Sequence, residues 1–327
     1  MKSPASVRSW RRSGAFWLLV VVAFAGLFAP VVANDVPLVA RVRGEWCFPA
    51  FADLVGPAPG GPNDLTWKQW WSRLPADSDD FAVMPPWPYG PTATDAERFR
   101  AGPSMAHWLG CDESGRDVLA RLVHGAGAVV WLVLPAVAMA LAFGTLLGAW
   151  AGLRRGLVDT LVLRLIELAL CFPVMLFLLF AAAFFGDSSL AFVVVLASLQ
   201  WTSFARVVRG QLLSLRERDF VHVARGLGVP GWRVATRHLL PLVGSQIAMT
   251  AAFCVANAIL AESTLAFLGL GPGDLPSSWG AMLRRGADQA AFGSWHLWSV
   301  PAAAIVGVVL ACHALADRWR RAGAAAP

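Results

Sequence analysis

The stretch AGAVVWLVLPAVAMALAFGTLLGAWAGL, Ala126–Leu153, runs 28 residues without one charged side chain. A helix on the surface of a soluble protein breaks such a run with polar residues on one face. A bilayer's hydrocarbon core, about 30 Å thick, takes roughly 20 apolar residues to cross as a helix. The stretch therefore reads as a membrane span, and five others read the same way: Ala15–Ala33, Leu157–Phe185, Leu190–Val208, Val243–Leu270 and Leu297–Ala316. Pro135, Pro173 and Pro301 fall inside spans, where neighbouring helices satisfy the backbone groups that proline frees. The expected fold class is an all-α membrane protein of six transmembrane helices.

Composition agrees. Of 327 residues, 57% are hydrophobic and 15% charged, against about 25% charged in soluble domains; the mean hydropathy is +0.57. A soluble enzyme, a disordered tail, a collagen and a small disulfide-stapled domain are excluded. The only lysines are Lys2 and Lys68, and neither has glycines at the offsets of a G-x-x-x-x-G-K-[ST] phosphate loop. Any ATP site must come from a partner. No H-E-x-x-H, G-x-S-x-G or C-x-x-C occurs, so no catalytic or metal residue is assigned, and His107 with Cys111 is too small a set for zinc.

The net charge of +6 is not a nucleic-acid footprint, because its distribution follows the spans. Sixteen basic residues fall on one side: Lys2, Arg8, Arg11 and Arg12; Arg154 and Arg155; Arg206, Arg209, Arg216, Arg218, Arg225, Arg233 and Arg237; Arg318, Arg320 and Arg321. The segment Asn34–Val123 on the other side holds 8 basic and 12 acidic residues. Basic loops stay cytoplasmic, so both termini are expected there. The expected organisation is a cytoplasmic tail at 1–14, a first helix at 15–33, a long irregular extracytoplasmic loop at 34–123, a five-helix core at 124–316 and a cytoplasmic tail at 317–327. A basic start and Val31-Val32-Ala33 also resemble a cleaved signal, but this apolar stretch exceeds the usual 7–15 residues, favouring a retained helix.

The long loop is rich in Pro, Gly, Asp and Trp, and Trp67, Trp70 and Trp71 have helical spacing. Two readings stand: a cap packed on the membrane surface, or a docking surface for an extracytoplasmic partner. Cys47 and Cys111 lie on this side, where a bridge is open to them; Cys171, Cys254 and Cys312 read as packing residues within spans.

The segment RERDFVHVARGLGVPGWRVATRHLLP, Arg216–Pro241, is amphipathic. Phe220, Val223, Ala224 and Leu227 make one apolar stripe at i, i+3, i+4 and i+7, with Arg218, Asp219, His222 and Arg225 opposite. Gly228 suits the residue that ends the helix, and Pro230 the first turn of the next. Such a pair either lies on lipid or docks a cytoplasmic protein. Within the spans, Arg164 and Glu167 stand three apart and can pair. Asn257 and Glu262 in the fifth span read either as translocation-path groups or as satisfied packing or gating contacts.

Arg216–Pro241 resembles the cytoplasmic coupling loop, the "EAA" signature, of ATP-binding-cassette importer permeases. His222, Val223 and Ala224 stand where that signature has Glu-Ala-Ala; Gly228 matches its glycine, and His238, Leu240 and Pro241 its tail. HWLGCDESGRDVLARLVHG (His107–Gly125) resembles the segment before the second span of the dipeptide/oligopeptide/nickel permeases, with Cys111 where Thr is usual. Asp159, Arg164, Glu167, Phe172 and Pro173 are similar to their third span, and ILAESTLAFLGLG (Ile259–Gly271) with Ser278–Leu283 to their fifth span and following loop. The resemblance is to the second, C-type permease, in a longer-loop branch. It implies a type I permease fold and a bacterial inner-membrane subunit importing peptides or peptide-like solutes. It also implies a second permease in a heterodimer, two cytoplasmic ATPase subunits carrying ATP-Mg, and an extracytoplasmic solute-binding protein; this chain itself binds no cofactor. The ATPase-coupling residues are then Arg218, Phe220, Val223, Ala224, Leu227, Gly228, His238 and Pro241, within 209–241. The alternative is a membrane receptor or channel with no ATPase partner.

Overall fold

A computed structural model describes residues 13–51, 66–73, 78–154, 156–185, 188–219, 221, 223, 233, 237, 240–273, 275 and 277–324. Helix α1 (Gly14–Leu27) is apolar throughout, breaks at Phe28, and resumes as one turn, α2 (Ala29–Val32), with Pro30 in the first turn where its missing N–H costs nothing.

The segment that follows departs from the expected irregular loop. Strands β1 (Val39–Val42) and β2 (Glu45–Cys47) form a hairpin, helix α3 (Trp67–Ser72) comes next, and β3 (Phe81–Val83) completes an antiparallel sheet in the order β2-β1-β3. The hairpin turns on Arg43 and Gly44, at φ 53° and 83°. Left-handed φ at both central residues makes a turn whose twist matches the strands, and Arg-Gly is a weaker signal of it than Asn-Gly. Trp67 and Trp70 of α3 pack on Ala40, Val42 and Cys47, so two of the three tryptophans cover a small core. Thr66 caps α3 by exchanging hydrogen bonds with Gln69. Cys47 and Cys111 are free and buried. Burial, with acidic neighbours, raises both thiols, Cys111 to about 11.

The chain then enters the helical core. Helix α4 (Val118–Ala128) leads through a wide turn at 129–133 into α5 (Leu134–Leu153). Leu134 N–H reaches back five residues to Val129 O, just before Pro135, which has no N–H to continue the normal ladder. Helices α6 (Leu157–Cys171) and α7 (Val174–Phe185) meet at 76° around Phe172–Pro173. Then come α8 (Ser189–Leu215), α9 (Leu240–Phe267), α10 (Trp279–Asp288) and α11 (Trp295–Ala324). Among the described residues four helices are long and apolar enough to cross a membrane: Val118–Leu153, Ser189–Leu215, Leu242–Phe267 and Trp295–Arg321. The α6–α7 pair passes as a fifth if counted as one, and α1 is shorter.

Helices α5 and α8 make the most extensive pairing among the described residues. Gly144, Gly148 and Gly152 line one face of α5, and a Cβ on them would lie 2.3 Å from Trp201 O, 2.5 Å from Ala205 O and 2.9 Å from Leu212 Cβ. Small residues four apart let helix backbones touch, which dispersion and not hydrophobicity must stabilise in lipid. The contacts ascend in both helices, so α5 and α8 run parallel, and α6–α7 must carry the chain back between them. Leu19, Val22 and Ala25 of α1 join the central core with Val129, Phe204, Ile259 and Val308. Gly26 sits where a Cβ would be 2.4 Å from Ala126 O, so α1 is a packed member of the bundle.

Candidate functional site

The first site lies where α8 ends. Arg216 is buried and donates through Nη1 to Gly152 O at 3.2 Å, tying the end of α8 to the end of α5. Two turns earlier Arg209 grips Asp159 at the start of α6 with two hydrogen bonds, Nη2 at 2.8 Å from Oδ2. A planar guanidinium matches a carboxylate edge to edge, so the pair fixes orientation as well as distance. The chain then turns: Val221 N–H bonds Arg218 O at 2.9 Å while Arg218 and Asp219 stay exposed. Val221 is fully buried with Val208, Leu212 and Val243. Val223 is 61% exposed.

This pair of valines separates anchor from outer face. Val223 belongs to the sequence-derived stripe and points away from the bundle; Val221, which the stripe omitted, is the anchor. Spacing at i, i+3, i+4 and i+7 carries no information on which side the bundle covers. Pro241 falls in the first turn of α9. Phe220, Ala224, Leu227, Gly228 and His238 lie outside the described residues.

The second site joins α9 to α10. Glu262 is buried; Ser278 Oγ donates to its Oε1 at 2.8 Å and Ser263 Oγ lies 3.3 Å from Oε2. Trp279 Nε1 donates to Leu122 O of α4 at 2.9 Å, and its ring lies where a Cβ on Gly125 would stand, 2.5 Å away. Gly280 brings α10 against α9, its hypothetical Cβ 2.2 Å from Ser263 O. Ser278, Trp279 and Gly280 thus clamp three helices, and Glu262 is the acceptor at the centre. We expect Glu262→Ala, which strands the Ser278 donor, to cost about 2–3 kcal/mol. Glu262→Gln, which keeps an acceptor, should cost less than about 1 kcal/mol. Thermal unfolding of the purified chain checks this; equal losses for both variants would refute the clamp.

Asn257 is on another face of α9. It is exposed and aligned with Leu260, Thr264 and Phe267, all exposed. The structure therefore does not bring Asn257 and Glu262 together. Arg164 and Glu167 pair at 2.7 Å on the exposed side of α6.

The segment before α4 holds a polar cluster that sequence reading had noted only as a family-like string. Asp117 caps α4 by accepting from Ala120 N at 2.7 Å; it also accepts from Trp87 Nε1 at 2.9 Å and from buried His107 Nδ1 at 2.7 Å. His124 Nε2 donates to Ala33 O at 2.7 Å. These bonds dock the 34–117 segment onto the bundle.

Residues 144–323 match the family described as "Binding-protein-dependent transport system inner membrane component". A Brucella ovis protein named as a peptide permease is 38% identical over 74% of this chain and 82% of its own length. The oligopeptide transport system permease protein OppC of Haemophilus influenzae is 35% identical over 66% of this chain and 71% of its own. A Brucella suis protein named as a peptide transport system permease is 33% identical over 73% and 81%.

Proposed function

Given that this chain belongs to the family of binding-protein-dependent transport system inner membrane components, we propose that it is the transmembrane permease subunit of an ATP-driven importer of peptides or peptide-like solutes. The observation that carries the reading is the family match from α5 to α11, joined to relatives named as peptide permeases. Six crossings account for the helices: α1–α2, α4–α5, α6–α7 as one bent span, α8, α9 and α11. The sixteen basic residues put the end of α8 and both termini in the cytoplasm. The 34–117 segment and α10 then face outside.

With no phosphate loop in the chain, two separate ATPase subunits hold ATP-Mg. Closure of those subunits on ATP moves the stretch after α8, and Arg216, Arg209 and buried Val221 pass the motion into α5, α6 and α9. The two pore states differ in affinity for the closed ATPases, and that difference drives alternating access. The exposed row of Asn257, Leu260, Thr264 and Phe267 faces a second permease and the pore between them, since lipid is a costly place for Asn. Glu262 holds the outer end of α9 to α10 as a gating contact. The test is co-purification: expressed with its neighbouring ATPase and permease genes, the chain brings down both partners in stoichiometric amounts. Recovery of the chain alone under all mild detergents would refute the importer reading and favour a lone receptor or channel.

A further inference from the structure

Between the C-terminal end of α9, the start of α10 and the loop before α4 lies a recess of about 480 Å³, within the size range of small-molecule sites. Four arginines line it, Arg116, Arg121, Arg284 and Arg285, and among the described residues Asp288 is the one acidic residue in the lining. Behind the wall Asp112 accepts from both Arg116 and Arg121, and Glu113 lies 3.4 Å from Arg116. Ser278 in the lining bonds a further carboxylate, Glu262, so the positive charge left open to the recess is that of Arg284 and Arg285. Arg284 and Arg285 form no ion pair among the described residues and are exposed.

Two buried polar atoms of lining residues have no hydrogen-bond partner among the described residues. Arg121, only 5% exposed, leaves its Nε without an acceptor, and Ser277 Oγ is buried and unpaired. Buried donors left unmade cost free energy unless a ligand or water satisfies them. Gly269 packs against another of the lining cations, Arg284. α9 ends in a left-handed Gly269 (φ 82°), with Leu270 N–H bonded to Leu265 O at 2.8 Å. A Cβ there would lie 2.1 Å from Arg284 Nη1, so glycine both closes the helix and leaves room for the guanidinium.

We propose that this recess binds the free C-terminal carboxylate of the incoming solute. Guanidiniums bind carboxylates edge to edge, and the C-terminal carboxylate is the anionic group that free peptides share whatever their side chains. Ala266, Gly271, Pro272 and Ala281 make part of the remaining lining small and apolar, beside Leu275 and the hydroxyls of Ser277 and Ser278. A recess, with its unpaired donors buried, suits a small solute's end group better than a protein surface. The assignment deepens the peptide-importer reading and rests on it for the outward orientation of α10.

The test uses the complete transporter with its binding protein in liposomes, comparing uptake of tri-alanine and tri-alanine amide. The double variant Arg284→Gln, Arg285→Gln should lower tri-alanine uptake about tenfold, as expected for a lost charge-assisted bond, and leave the amide at its wild-type rate. An equal change for both peptides, or none, would overturn the proposal. A second arm needs no variant: phenylglyoxal modification of Arg284 and Arg285, read by mass spectrometry, should be slowed severalfold by tri-alanine and not by its amide. If the wild-type transporter moves neither peptide, the peptide reading fails, and the protection arm alone decides the carboxylate site. Equal modification with and without tri-alanine then removes it.

Discussion

Val223→Asp abolishes solute-stimulated ATP hydrolysis by the assembled importer while the chain inserts and folds as before. The expectation follows from the two valines after α8. Val223 is an exposed apolar side chain on the stretch assigned to ATPase docking, and Val221 two residues earlier is sealed in the bundle. A carboxylate at Val223 meets water in the free chain and costs the fold little. In the docked complex the same carboxylate is desolvated without a partner. Loss of one interface anchor costs about 2 kcal/mol or more, roughly a 30-fold drop in productive docking.

Val221→Asp provides the contrast, since it buries an unpaired charge in the subunit itself and should lower folded yield before any partner is added. The measurement is ATP turnover with and without solute-loaded binding protein, alongside thermal stability of each purified variant. Unchanged coupling in Val223→Asp would refute this stretch as the lever. Loss of stability in that variant would place Val223 in the fold instead.

Gly148→Leu should prevent the bundle from assembling. At Gly148 the α5 backbone approaches so closely that even a methyl group would stand 2.5 Å from Ala205 O. The obstacle is backbone and cannot rotate away. Overpacking in ordinary cores costs about 1–3 kcal/mol. Here the two helices must separate along the whole crossing, which gives up the contacts at Gly144 and Gly152 as well, so we expect more than about 3 kcal/mol. Gly210→Ala on α8 is the control, because nothing lies within 4 Å of its new Cβ. Replacing glycine in a helix interior then stabilises by up to about 1 kcal/mol. Folded yield in detergent and the unfolding midpoint distinguish the two; a stable, monodisperse Gly148→Leu chain would sink the close-packing argument.

What was legible in the sequence was whatever the bilayer imposes on every residue in turn. Each apolar run is a statement about solvent, so the apolar stretches and their charge bias could be read without knowing any contact. The wide turn before Pro135 and the bend at Pro173 sit where proline removes a donor. The three-stranded sheet was not legible, because β1 is only four residues and its turn is Arg-Gly rather than Asn-Gly. Glu262 shows the same limit. Its position in an apolar helix marked it as unusual, but Ser278 lies sixteen residues away, and only folding brings the hydroxyl to 2.8 Å.

The sequence by itself determined that this chain is membrane-embedded and lacks a phosphate loop, because both follow from which residues are present. Helical spacing is local, so the expectation of an apolar face after α8 could be drawn from the sequence, although Phe220, Ala224 and Leu227 lie outside the described residues. Only the tertiary structure decided that Val221 is buried in the bundle while Val223 is exposed. It alone gathered Arg116 and Arg121 with Arg284 and Arg285, two pairs more than 160 residues apart along the chain, around one recess. The physical reason is the same in both cases: which face is covered, and which charges meet, depends on how separate helices pack, and no periodicity within one helix records it.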